Sequence, residues 1–153
     1  MPQTFPISPA SGNAFWTLGP VVLLLGGLLA LFLYFGYSAR HVAFEVSPEG
    51  IRIRGGIYGR FVPAAALIPD QAKEINLTID SAHRPGIRTN GIGLPGYQAG
   101  WFRLGDGEKA LCFLTDRTQA VYIPTREGYS LLLSPAEPRA FLASLQQTGS
   151  AQQ

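Results

Sequence analysis

Ahead of Arg40 the sequence has no charged residue at all: the 12 Lys and Arg and the 10 Asp and Glu lie at or beyond that position. The chain is therefore two materials joined end to end, an uncharged N-terminal part and a polar remainder. There is one cysteine, Cys112, which excludes an intrachain disulfide and any multi-cysteine metal centre. It sits in the apolar run Ala110 to Leu114, where a thiol is a core residue rather than a nucleophile. The two histidines, His41 and His83, have no ligand-type neighbour at metal-binding spacing, so neither a metal nor a cofactor is predicted. Ser81, Ser130 and Ser134 lack the surroundings of a nucleophile elbow, and the sequence predicts no enzyme. A net charge of +2 without a basic stripe excludes a nucleic-acid binder.

The long hydrophobic run is Leu18 to Tyr37, LGPVVLLLGGLLALFLYFGY. At about 1.5 Å per residue a helix of this length covers the roughly 30 Å hydrocarbon layer of a bilayer. Phe15 and Trp16 at one end, and Tyr34 and Tyr37 at the other, are aromatic rings of the kind that settle among headgroups. A cleavable signal peptide begins with positive charge, and residues 2–17 contain none. The reading is a transmembrane helix over residues 18–37, preceded by a short tail, 1–17. Arg40, Arg52, Arg54 and Arg60 follow the span while nothing basic precedes it, which predicts the N-terminus outside and the rest in the cytoplasm.

From His41 the pattern changes to short branched and aromatic runs separated by turn residues, which predicts a mainly β domain over residues 39–147. His41 to Val46, the turn Ser47-Pro48-Glu49-Gly50 and Ile51 to Arg54 form a hairpin, and Ile57 to Val62 follows as a third strand of a meander. Alternation in Ile51-Arg52-Ile53-Arg54 puts the isoleucines on one face and the arginines on the other. Further strands are expected at Glu74 to Ile79, Gly100 to Leu104, Lys109 to Thr115, Ala120 to Pro124 and Tyr129 to Leu133. After Leu133 an amphipathic helix is expected, with Ser134 and Glu137 at capping-box spacing and Pro138 suited to its first turn. Residues 148–153 lack apolar anchors and are expected to fray.

Seven or eight strands closed by one helix resembles the pleckstrin-homology-like order of elements, bent antiparallel sheets or a barrel capped at one end. The segments RTNGIGLPGYQAGWFRL, KALCFLTDRTQAVYIPT and GYSLLLSPAEPRAFLASL carry a closer likeness. Arg88, Asn90, Gly91, Pro95, Gly96, Tyr97, Gly100, Ser134, Pro135, Glu137, Pro138 and Phe141 are similar to the pattern of the bacterial PH-like domain family of small membrane proteins. The resemblance implies the fold, a bacterial inner-membrane location and no catalytic activity.

Gly91 to Gly96 satisfies G-x-G-x-x-G literally, but the strand and helix of a dinucleotide site are missing around it. Residues 81–99 read instead as a long loop, and long loops often bind something. Arg84, Arg88, Asn90, Tyr97 and Trp101 offer donors, charge and aromatic surface there, and they are the first candidates for a partner or ligand site. Arg52, Arg54 and Arg60 are candidates for contact with anionic lipid. Asp106 and Glu108 read as a solvated hairpin tip, and the sequon Asn76-Leu77-Thr78 as a chance match within a strand. The leading expectation is a membrane-anchored module that presents a protein-binding surface. A reader of anionic headgroups through the arginine face, and a small-molecule receptor using the 81–99 loop, are the alternatives.

Overall fold

The computed structural model describes residues 13–39 and 41–150. The chain falls into two units, residues 1–37 and 38–153. The first is helix α1, Asn13–Ala39, uncharged throughout and interrupted only by Pro20, which deprives the Trp16 carbonyl of its usual donor. Within it Trp16–Tyr37, 22 residues with a mean hydropathy of 2.3, is long and apolar enough to cross a membrane, a property shared with the apolar core of a signal sequence. Of the expected tail, 1–17, residues 1–12 and the side chain of Phe15 lie outside the described residues, while 13–17 form the start of α1.

The second unit is mainly β, with nine strands in two sheets and a C-terminal helix among the described residues. The smaller sheet is the meander β1 (Ala43–Ser47), β2 (Gly50–Arg54) and β3 (Phe61–Pro63). Its inner face carries Ile51, Ile53 and Val62, buried as the alternation requires, while Arg52 and Arg54 face outward. The third strand is shorter than expected, because Gly55 to Gly59 forms a loop instead. Short 3-10 turns at Ala64–Ala66 and Pro69–Gln71 lead to the larger sheet.

That sheet comprises β4 (Lys73–Ile75), β5 (Pro85–Leu94), β6 (Tyr97–Leu104), β7 (Lys109–Leu114), β8 (Ala120–Pro124) and β9 (Ser130–Leu133). Its spatial order is β4-β8-β9-β7-β6-β5, and all neighbours are antiparallel except β7 and β9. One face packs on the smaller sheet and on helix α2, Pro138–Ser150, through Leu111, Phe113, Val121, Ile123, Leu131 and Leu133. Phe44 sets its ring edge-on to Phe113 and Phe141, joining β1, β7 and α2 at 6.4 and 6.3 Å.

The order places β4 and β5 at opposite edges, so the chain between them must cross the other face of the sheet. It does so as a strap over residues 76–84. Leu77, fully buried, packs there with Ile75, Phe102, Leu104, Cys112, Leu114 and Leu132 in a second core. A sheet with both faces apolar needs such a cover.

Other expectations change as well. The region 81–99 is not a loop: most of it is the hairpin of β5 and β6, whose turn is Pro95-Gly96. The sequon lies in a turn, where Asn76 Oδ1 accepts from the Thr78 backbone at 2.9 Å. Ser134 does not cap α2; its hydroxyl donates to the Asp116 carbonyl at 2.6 Å, and the helix starts at Pro138 with Glu137 accepting from Phe141. The helix also runs on to Ser150, with Gly149 against Pro69, instead of fraying from Thr148.

Candidate functional site

The loop from Gly55 to Arg60 lies along the β5–β6 hairpin, because β6 offers it a bare backbone. Gly100 has φ +115, and a Cβ there would stand 2.6 Å from the Asn90 carbonyl oxygen and 3.3 Å from the Tyr58 ring. Tyr58 uses that room, packs on Gly100 and donates its hydroxyl to Asn90 Oδ1 at 3.1 Å.

One residue beyond Gly100 is Trp101, half-buried on the inner side of β6. The Arg60 guanidinium lies 5.3 Å and the Lys109 ammonium 4.5 Å from its ring centroid. Tyr129 meets it edge-on at 5.1 Å. The ring quadrupole attracts both cations, worth about 0.5–1 kcal/mol each at an exposed site. Burial pushes the Tyr129 phenol above its ordinary value of 10.0, Glu127 pushes the same way, and Arg60 partly opposes them. Three elements thus converge: the β2–β3 loop gives Arg60, β6 gives Trp101 and β7 gives Lys109.

The sequence candidates are distributed around this cluster unevenly. Trp101 is its centre, and Asn90 lies beside it, bonded to Tyr58, which packs on the adjacent Gly100. Tyr97 is buried in the main core, and burial raises its phenol. Arg88 is exposed on β5, its guanidinium close to Gly93. Arg84 is committed to the strap, donating from Nε to the Leu77 carbonyl at 2.9 Å and from Nη2 to the Thr78 carbonyl at 2.8 Å. The three sheet arginines do not act as one face. Arg54 pairs with Glu45 at 3.0 Å, Arg52 lies over Phe61 at 5.3 Å, and Arg60 turns to Trp101. Lys109, Tyr58 and Tyr129 belong to the cluster without having been candidates, since their approach depends on strand order and loop path.

A second polar cluster lies on the strap side. Glu108 is not part of a solvated tip: it reaches back from the start of β7 and accepts from Ser130 through Oε1 and from Tyr122 at 2.9 Å through Oε2. Each hydroxyl has one proton and both are given to the carboxylate, so Ser130 Oγ and Tyr122 Oη simply lie close, at 3.1 Å. Burial raises the Tyr122 phenol. His83, on the strap, touches the Tyr122 ring edge-on at 4.5 Å and holds Asp80 at 2.7 Å through Nδ1. Ser130 is completely buried and its proton is engaged, so this is a polar tie within the fold. Cys112 lies in the same layer, and burial pushes its thiol well above the ordinary 9.0. Among the described residues no group of three or more His, Cys, Asp or Glu is placed to hold a metal ion.

An open groove of about 280 Å³ lies elsewhere, between the β1–β2 turn, the 3-10 turns and the end of α2. Ala64, Leu67, Asp70, Arg126 and Thr148 are among its lining residues, and none of the sequence candidates is.

A two-sheet β unit closed by a C-terminal helix is a PH-like arrangement, and residues 42–149 match the family model described as bacterial PH domain. The chain belongs to that family. No curated protein and no solved structure matches it. PH domains are in general interaction modules and not catalysts, which agrees with a site made of aromatic and cationic surface.

Proposed function

We propose that this PH domain is a non-catalytic module, anchored in a bacterial inner membrane by α1, which presents the Trp101 cluster on the cytoplasmic side to an acidic segment of a protein partner. The observation that carries the reading is the pair of cations, Arg60 and Lys109, held on one half-buried indole beside Tyr129. Trp, Tyr and Arg are the residues that concentrate binding energy at interfaces, and cations resting on a ring instead of a carboxylate keep their charge available to an incoming acid. Among the described residues the ion pairs take Arg54, His83 and Arg139, and neither Arg60 nor Lys109. The uncharged α1, followed by basic residues and preceded by none, supports the anchor and its direction.

A photo-crosslinking amino acid at Arg88, in the full chain in cells, tests this. A discrete protein adduct that Trp101→Ala and Lys109→Glu both remove, while the chain stays folded, is the expected result. Adducts indifferent to both substitutions would refute the reading. Headgroup recognition by a shared arginine face has less support, because the three side chains go to three different neighbours.

A further inference from the structure

Beyond protein binding, and resting on the anchored reading above, we propose that Ile57 is a lipid-contacting tip: the β2–β3 loop dips into the headgroup region of the membrane that α1 crosses and fixes how the PH domain faces it. Ile57 is 82% exposed at the crest of Gly55-Gly56-Ile57-Tyr58-Gly59, a position with no core to fill. Gly55 and Gly56 have φ +103 and +69, so the chain turns outward just before the isoleucine and projects it.

Exposure alone does not separate Ile57 from Ile79, 81% exposed on the strap, since single surface aliphatics are common. Position does. Gly55 packs against His41 and Val42, just ahead of β1, so the loop stands where the chain enters the β fold. Only Ser38 to His41 separate Val42 from Tyr37, the last residue of the apolar segment. At no more than ~3.5 Å per residue that link reaches roughly 18 Å, so whatever surface holds the segment's end is within range of the loop. Tyr97, from the turn end of β6, reaches the loop with its hydroxyl beside Gly56. Ile79, on the strap over the far face of the larger sheet, has none of this company.

The test uses the full chain with Cys112→Ala, reconstituted in vesicles of mixed neutral and anionic lipid, with one added cysteine carrying a polarity-sensitive fluorophore. Ile57→Cys should give blue-shifted emission that a spin label on the lipid chains quenches, whereas Ile79→Cys should report water and remain unquenched. A label at Leu28→Cys, within α1, separates the two levels of the reading. If Leu28 is quenched and Ile57 behaves as Ile79 does, the tip inference is overturned and the anchor stands. If Leu28 is unquenched, both fall. A blue shift at Ile57 without quenching by lipid would mean that protein covers the loop, which also overturns the inference.

Discussion

The Tyr122 hydroxyl donates to the Glu108 carboxylate at 2.9 Å, from the strand next to the one that separates them. The same carboxylate takes the proton of the fully buried Ser130 on the intervening strand β9. One acid therefore satisfies two hydroxyls across β7, β9 and β8. Glu108→Ala leaves both without their acceptor, and we expect a loss of about 1–3 kcal/mol in urea unfolding of the chain. Replacing Ser130 by Ala in that background should recover part of the loss, because one stranded group is removed.

The strap has its own tie. Arg84 holds the carbonyls of Leu77 and Thr78, and Leu77 fills the second core. Leu77→Ala should cost about 2–5 kcal/mol through lost burial and the cavity left behind. Arg84→Ala should cost less, about 1 kcal/mol, since part of its side chain stays in water. In hydrogen exchange it should speed residues 76–84 while leaving β7 and β9 protected.

At Gly100 any side chain meets backbone. A Cβ would stand 2.6 Å from both the Asn90 oxygen and the Gly91 Cα, at a φ of +115. Gly100→Ala should destabilise by ~2–4 kcal/mol and open the β5–β6 hairpin. It should also quench the Trp101 cluster's partner binding, because Tyr58 loses its seat there.

Alkaline pH should unfold the chain through groups that burial keeps protonated. Cys112 is raised above 9.0, and Tyr97, Tyr122 and Tyr129 above 10.0, all chiefly by desolvation. The unfolded chain releases these protons first, so their stabilising contribution is whole below about pH 9 and falls as pH rises from there. Cys112→Ala should remove the earliest part of that fall in a pH series of denaturant midpoints. The thiol of the native protein should react with a disulfide reagent only as fast as the fold opens.

At the acid end the direction reverses. Asp80, lowered mainly by the His83 backbone N–H, and Asp116, lowered mainly by the Thr118 hydroxyl, favour the folded state when ionised. Their contribution is present above the ordinary 3.8 and is lost as pH falls through their lowered values. Asp80→Asn and Asp116→Asn should each flatten the stability curve below about pH 4.

Much of the architecture was legible in the residues because it is set locally. An uncharged run long enough to span a bilayer, the alternation of Ile51 to Arg54, and a proline at the first turn of α2 each state their structure within one element. The region 81–99 was misleading for a local reason as well. Six of its residues are glycine or proline, which usually mark loops, yet here Gly91 and Gly93 lie within a paired strand, and at Gly91 the neighbouring backbone approaches closely. The candidate site was legible only in part: Trp101, Asn90 and Arg60 could be picked out by type, but not their association.

The sequence by itself determined the division of the chain into an apolar helix and a β unit, the faces of the first strands, and the helix that closes the domain. These follow from hydrophobic period and turn chemistry, which act over a few residues. Tertiary structure alone decided that β9 inserts between β7 and β8, that the β4–β5 connection straps the far face of the sheet, and that Arg60 and Lys109 meet on Trp101. Strand order is a choice among pairings that bury similar surface, and it is settled by the whole set of contacts at once, so no single segment can announce it.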